Sequence, residues 1–247
     1  MLFRSIPSHI FCFGLLTALT ALTYANSLHG KFVFDDLQII QQNSTLMNVR
    51  TFGDAISIAI TGGWRQLLNL TYALNYYWDG LNTFGYHVVN VSLHTVNVLL
   101  VYGIILAVLR EEERSRYVAL AGAAVFGVHG MLSGAVSYVA GRSSVLCATF
   151  YFSAIYLFFK GLNSDRRAVR MLFFGLTAVA GWLAWETKQE AIALPILLAV
   201  VVFLQSQKKN WRWIAVLALV PVTLVVLMWD QIKALYTVVG EIGRAHV

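Results

Sequence analysis

The sequence is short of charge. Charged residues make up 12% of its 247 positions, against about 25% in a soluble globular domain. Such a composition fits a helical bundle in lipid better than a soluble enzyme. Cysteine is nearly absent too. Cys12 and Cys147 both lie inside apolar runs and read as small core residues, not as a disulfide or a metal pair. There is no Gly-rich phosphate loop, HExxH, CxxC pair, nucleophile elbow or internal repeat, which removes the commonest sequence-readable chemistries. The net charge of +6 is not gathered into a patch. Its basic residues fall in short clusters between apolar runs, which is a topology signal, and no nucleic-acid partner is expected.

What the chain has is hydrocarbon. Hydrophobic residues are 58% of it and mean hydropathy is +0.67. Apolar runs lie near 10–25, 86–109, 118–140, 143–159, 171–185, 190–204 and 212–229. A spanning helix needs ~20 residues, so the runs predict an all-α membrane protein with about seven transmembrane helices. The first run lacks a clear small-x-small cleavage site before Asn26–Ser27 and reads as an uncleaved anchor.

With the N-terminus placed in the cytoplasm, inner segments hold eleven basic residues and outer segments six. That bias puts residues 26–84 outside. A loop of this length is usually functional. It carries two candidate short helices. Residues 49–60 align Val49, Phe52, Ile56 and Ile60, and residues 66–78 are rich in aromatics that suit the membrane interface. The loop is expected to lie on the bilayer.

Asp35–Asp36 follows the apolar Phe32-Val33-Phe34. Adjacent carboxylates diverge by ~100° on a helix, so one can face an acceptor while the other orients a partner or a divalent metal. Crowded carboxylates near an apolar interface should have raised pKa values, which suits a general base. The same residues also fit a solvated pair in which Asp36 caps the next helix. Asn90, His94 and Asn97 share one helical face, with His87 near the outer end of that span. They form either the wall of a polar cavity or a set of interhelical hydrogen bonds. His129, alone in the third run, has the same two readings. Arg65, Arg142 and Lys188 flank apolar runs on the outer side. They either anchor the helices or converge on an anionic leaving group.

Several ordered motifs resemble the transmembrane-and-TPR-repeat O-mannosyltransferase family. They are Tyr24 to Asp36 followed by Asn43, Trp64-Arg65-Gln66-Leu67-Leu68-Asn69-Leu70-Thr71, Gly85-Tyr86-His87-Val88-Val89-Asn90, His94-Thr95-Val96-Asn97, Val139-Ala140-Gly141-Arg142-Ser143-Ser144, and Lys188-Gln189-Glu190 through Pro195. The resemblance implies a GT-C-like polytopic helical bundle over residues 1–240, with outer loop 26–84. It also implies an inverting glycosyltransferase that moves a sugar, mannose, from a polyprenyl- or dolichyl-phosphate donor to a protein hydroxyl. Asp36 is the favoured base with Asp35 beside it, and either could hold a divalent metal. Arg65, Arg142 and Lys188 would bind the donor phosphate, while His87, Asn90, His94, Asn97, His129 and Glu190 would line the cavity. The partners implied are a lipid-linked donor, a protein acceptor and membrane lipid, in a bacterial inner membrane or, alternatively, the ER membrane.

The chain departs from the family pattern in places. Gly130, Leu132 and Gly134 replace the proline, second histidine and glutamate of the family's histidine motif, and Glu190 stands one place after its usual position. A transporter of the same composition, or an inactive scaffold of the same fold, are the rival readings. Residues 241–247, Glu-Ile-Gly-Arg-Ala-His-Val, break the apolar pattern and reverse-translate to a sequencing-adapter frame. The native chain is expected to continue beyond Gly240.

Overall fold

The computed structural model describes residues 8–61, 65–109 and 114–205. The chain divides into two compact units, residues 1–191 and 192–247. Among the described residues every regular element is helical.

Helix α1 (His9–Tyr24) starts at Ser8, whose hydroxyl accepts the Phe11 N–H. It is apolar all round, as a helix in lipid is. One line, Cys12, Leu16, Thr20 and Tyr24, is buried, whereas Ile10, Phe11, Phe13, Leu15 and Leu22 are exposed. A 3₁₀ turn (Ala25–His29) and a π-helical turn (Leu37–Gln41) lead to α2 (Ser44–Met47), whose first turn is capped by the Asn43 side chain. Then come α3 (Phe52–Thr61) and α4 (Gln66–Asp79), the two short helices expected in this loop from the sequence. Gly80, at φ +58°, ends α4 where a side chain would be strained.

Helix α5 (Thr83–Leu109) is the spine of the bundle and packs against α1, against α6 (Ser115–Gly127) and against α8. A short 3₁₀ turn (Gly130–Leu132) and α7 (Ser133–Val136) precede α8 (Arg142–Leu162), which pairs with α9 (Arg167–Thr187). Gly161 lets the Phe174 ring lie against the α8 backbone, where a Cβ would sit 2.7 Å from that ring. In the second unit the described residues include α10 (Leu194–Gln205).

The expected count of seven spans is not reached among the described residues. Four helices are long and apolar enough to cross, and a fifth crossing follows if the bent pair Ser115–Gly127 and Gly130–Val136 is one span. The run expected at 118–140 is bent by 48° within that pair. Around the break His129 Nδ1 accepts the Met131 N–H at 3.3 Å and the Ser133 hydroxyl donates to Gly130 O, so a new turn begins there. In the run expected at 190–204, α10 (Leu194–Gln205) extends to the last described residue. The run at 212–229 and the tail 241–247 lie outside the described residues.

The loop 26–84 has a core of its own. Ile40, Leu46, Val49, Ala55, Leu68, Tyr72 and Ala73 pack with Tyr86, Val139 and Leu146 from the span ends. Val49 is inside this core, while Phe52, Ile56 and Ile60 stay exposed on α3, leaving an apolar stripe such as interfacial helices present to lipid. Tyr72 is buried, and Tyr77 and Trp78 face out.

Candidate functional site

The segment after α1 makes a tight turn at Val33–Asp36, with the Asp36 N–H donating to Val33 O at 3.0 Å. Phe34 sits in the left-handed region at φ +49°, unusual for a side chain of its size. This turn points the two carboxylates in different directions. Asp36 is 1% exposed. Its Oδ2 accepts the Val33 N–H at 3.1 Å and its Oδ1 accepts the Ala140 N–H at 2.7 Å. Burial raises its pKa above the usual carboxylate value, against the lowering pull of those two N–H groups and of nearby His87. Asp35 is exposed, and its backbone N–H donates to the Tyr138 hydroxyl at 2.9 Å.

Asp35 borders a cavity of about 560 Å³, together with Arg65, Asn69, Tyr138, Ser143, Ser144 and the apolar Ile39 and Leu68. That volume is within the ~300–1,000 Å³ range of small-molecule sites. Arg65, at the start of α4, also has a left-handed backbone, φ +64°. Lys188 donates to the Ser144 hydroxyl at 3.0 Å and pairs with Glu190 at 2.9 Å. Partial burial works against charging Glu190, but the Lys188 hydrogen bond and charge, with Arg65 nearby, hold its carboxyl below the usual range. Residues from the end of α1, the starts of α4 and α8 and the end of α9 therefore meet on one side of the bundle. On the other side Asn163, after α8, donates to Ala107 O near the end of α5.

The remaining expected site residues are elsewhere. Arg142 is fully buried beneath the cavity. Its Nε donates to Asn90 Oδ1 at 2.9 Å, Nη1 to Thr71 O at 3.1 Å and Nη2 to Tyr86 O at 3.0 Å, with the guanidinium 4.6 Å over the Tyr72 ring. It has no face left for a phosphate. Asn90 donates to Tyr138 O at 2.9 Å, and Asn97 to Val145 O at 3.0 Å. His87 and His94 meet Gly30 O and Gly127 O through Nε2. All four are buried. They tie α5 to neighbouring backbone and do not border the cavity, so of the two readings of that stripe the structure shows interhelical bonding. His129 is exposed and caps a turn.

Asp36 is 1% exposed and does not border the cavity that Asp35 borders, so the two carboxylates do not face one common open site. Among the described residues no three His, Cys, Asp or Glu side chains gather as a metal set. Tyr138, Asn69 and Ser143 were not singled out from the sequence as site residues. Tyr138 directly precedes the Val139–Ser144 motif, and that adjacency was the available signal.

Fold and site together define a polytopic helical membrane protein in which the segments between α1 and α5 and the loop before α8 border a cavity holding one carboxylate, several hydroxyls and two nearby cations. Among curated proteins, the chain is 31% identical over 188 residues to the protein O-mannosyl-transferase Tmtc1 of Drosophila melanogaster, covering 72% of this chain and 21% of the relative. It is 30% identical over 210 residues to human protein O-mannosyl-transferase TMTC4, covering 76% and 28%. The Caenorhabditis elegans protein O-mannosyl-transferase F38B6.6 is 31% identical over 169 residues, covering 64% and 24%. The chain belongs to this TMTC family of protein O-mannosyl-transferase relatives. It spans about a quarter of the length of the relatives it matches. No family model and no solved structure matches the chain.

Proposed function

We propose that the chain is the membrane part of a glycosyltransferase that moves mannose from a polyprenyl-phosphate donor to a protein hydroxyl on the extracytoplasmic side, in a GT-C-like bundle. The observation that carries this reading is the single cavity shared by Asp35 and Arg65, with Lys188 bonded to its wall at Ser144. A transfer site needs a base for the acceptor and positive charge for the leaving phosphate.

Asp35 is assigned the base role in place of the sequence-favoured Asp36, whose oxygens are both occupied by backbone. As the acceptor oxygen forms its bond to the anomeric carbon, its proton passes to the Asp35 carboxylate. The bond from that carbon to the phosphate oxygen breaks, and the phosphate departs with the electron pair. Attack from the opposite face inverts the anomeric centre through an oxocarbenium-like state. Arg65 and Lys188 stabilise the departing phosphate, Asp36 fixes the turn, and no metal is invoked in any step.

The test is transfer from dolichyl-phosphate mannose to a Ser/Thr peptide by the full-length protein in proteoliposomes. Asp35→Asn should insert and accumulate normally yet lose ~10²–10⁴ in rate. Wild-type transfer by Asp35→Asn sinks the assignment. The side of the membrane is tested with an impermeant thiol reagent, after replacing buried Cys12 and Cys147. A cysteine at exposed Ser44 should label in intact cells and one at exposed Asp165 should not. The bacterial inner membrane is the expected location.

A further inference from the structure

We propose that Tyr138 is a positioning residue for Asp35. Its hydroxyl takes the Asp35 backbone N–H and turns its own proton to the Asp35 carboxylate, so that the carboxylate is held at the cavity in one orientation. The inference rests on the base role of Asp35 proposed above, and it adds a residue to that site.

A phenol has one proton and can also accept. The acceptor side of the Tyr138 hydroxyl is engaged by the Asp35 N–H at 2.9 Å, which leaves its proton to be donated elsewhere. The Asp35 carboxylate acts on the same hydroxyl as a neighbouring charge. Burial first, then the Asp35 and Asp36 carboxylates, raise the Tyr138 pKa, which keeps that proton in place at neutral pH. Tyr138 also borders the cavity with Asp35, so the pair sits where a substrate hydroxyl would arrive.

The tyrosine is itself fixed. Its carbonyl accepts both the Asn90 amide at 2.9 Å and the Gly141 N–H at 3.1 Å. The turn around it is too tight for a side chain at Gly141, where a Cβ would lie 2.3 Å from Ala135 O. Two residues on, the Ala140 N–H donates to Asp36 at 2.7 Å. The loop before α8 thus grips the acidic pair at two points. One grip, Asp36 to Ala140, uses a carboxylate that is spent on folding. The other, Tyr138 to Asp35, holds the residue but leaves its carboxylate at the cavity. Phe34, immediately before, is kept at φ +49°. Such strain persists only where surrounding contacts over-determine the backbone.

The experiment is steady-state kinetics of the full-length protein with dolichyl-phosphate mannose and a Ser/Thr peptide, comparing wild type, Tyr138→Phe, Asp35→Asn and the double variant. Tyr138→Phe keeps the ring and removes only the hydroxyl. It should accumulate as wild type and lower kcat by about tenfold or more, the size expected for a lost hydrogen bond to a charged group. KM for donor and peptide should be unchanged. In the Asp35→Asn background the same substitution should cost nothing further, because the hydroxyl acts through that carboxylate. Wild-type kcat in Tyr138→Phe, with Asp35→Asn still inactive, would overturn the positioning role and leave the transferase reading standing. A raised donor KM with kcat intact would equally overturn it, by placing the hydroxyl on the donor. Should Asp35→Asn transfer normally, the base assignment fails first and this proposal goes with it.

Discussion

The bundle holds two polar regions of similar composition that behave in opposite ways. One is the sealed layer on α5, with His87, Asn90, His94, Asn97 and the Arg142 guanidinium. The other is the open cavity a few residues away, with Asp35, Arg65, Tyr138 and Ser144. In the sealed layer each side chain bonds to protein groups: Asn90 to Tyr138 O, Arg142 to Thr71 O and Tyr86 O, His94 to Gly127 O. Most of the layer's polar atoms are satisfied in this way; His87 Nδ1 and Asn97 Oδ1 are buried without a partner, sealed away from the cavity. In the cavity, Asp35 engages Tyr138 through its backbone and leaves a carboxylate facing open space. Strain separates the regions as well. The non-glycine residues with positive φ among those described are Phe34 and Arg65, one beside the cavity's carboxylate and one on its wall. Type and spacing of polar residues therefore do not mark function here. Access to open space and a strained backbone do.

The two arginines put that distinction under the greatest load. Arg142→Leu removes a donor from each of Asn90 Oδ1, Thr71 O and Tyr86 O. Thr71 O and Tyr86 O keep their intrahelical donors, but Asn90 Oδ1 becomes a buried acceptor without one, at roughly 1–3 kcal/mol, so the variant should melt below wild type in detergent. Arg142→Lys should recover little, since an ammonium cannot reproduce the guanidinium fork. Arg65→Gln should shift stability by no more than about 0.5 kcal/mol while slowing transfer by about 10²-fold, the usual cost of one transition-state donor. The comparison breaks if the melting temperatures of the two variants agree.

Asp36 and Asp35 sharpen it through pH. Burial raises the Asp36 pKa in the fold, so the folded state binds a proton more readily than the unfolded chain. Stability from this group is complete below the ordinary carboxylate value of ~3.9 and is lost as pH rises through the raised folded value. Melting temperature measured from pH 4 upward should carry that falling component in wild type, and Asp36→Asn should lack it. Asp35→Asn should keep it. A pH–stability profile identical in wild type and Asp36→Asn would contradict the buried, backbone-bound carboxylate.

Much of this was legible in the sequence. The acidic pair, both short outer helices and the one-faced stripe on α5 follow from spacing, because local periodicity decides them. The bend within the run at 118–140 was not legible because hydropathy averages across a break. His129 starts a new turn inside an unbroken apolar run. The role of Arg142 was hidden for a different reason. A cation after Gly141 reads the same whether its helix end faces a ligand or folds over Tyr72 and Tyr86, and that depends on segments seventy residues away. Choosing between Asp35 and Asp36 likewise needed the Ala140 N–H, which only the fold brings near. Tyr138 left no periodic trace at all.

The smallest expected effect tests the strained turn itself. Phe34 is 83% exposed, so its ring contributes little packing, yet its backbone holds φ +49°. A left-handed residue with a Cβ costs roughly 1–2 kcal/mol, a penalty glycine escapes. Replacing an exposed residue by glycine ordinarily leaves a protein less stable than replacing it by alanine, because glycine frees the unfolded chain. At this position the order should invert. Phe34→Ala keeps the strain and loses the ring, whereas Phe34→Gly removes both. The glycine variant should therefore melt higher than the alanine variant, by an amount on the order of 1 kcal/mol in the folding free energy. The inversion belongs to the open region alone. Ala135 is a half-buried control before the same loop, with no left-handed strain, and Ala135→Gly should lower stability in the ordinary direction. If Phe34→Ala proves the more stable of the pair, the turn is not held in the left-handed region, and the strain that sets the cavity apart from the sealed layer disappears.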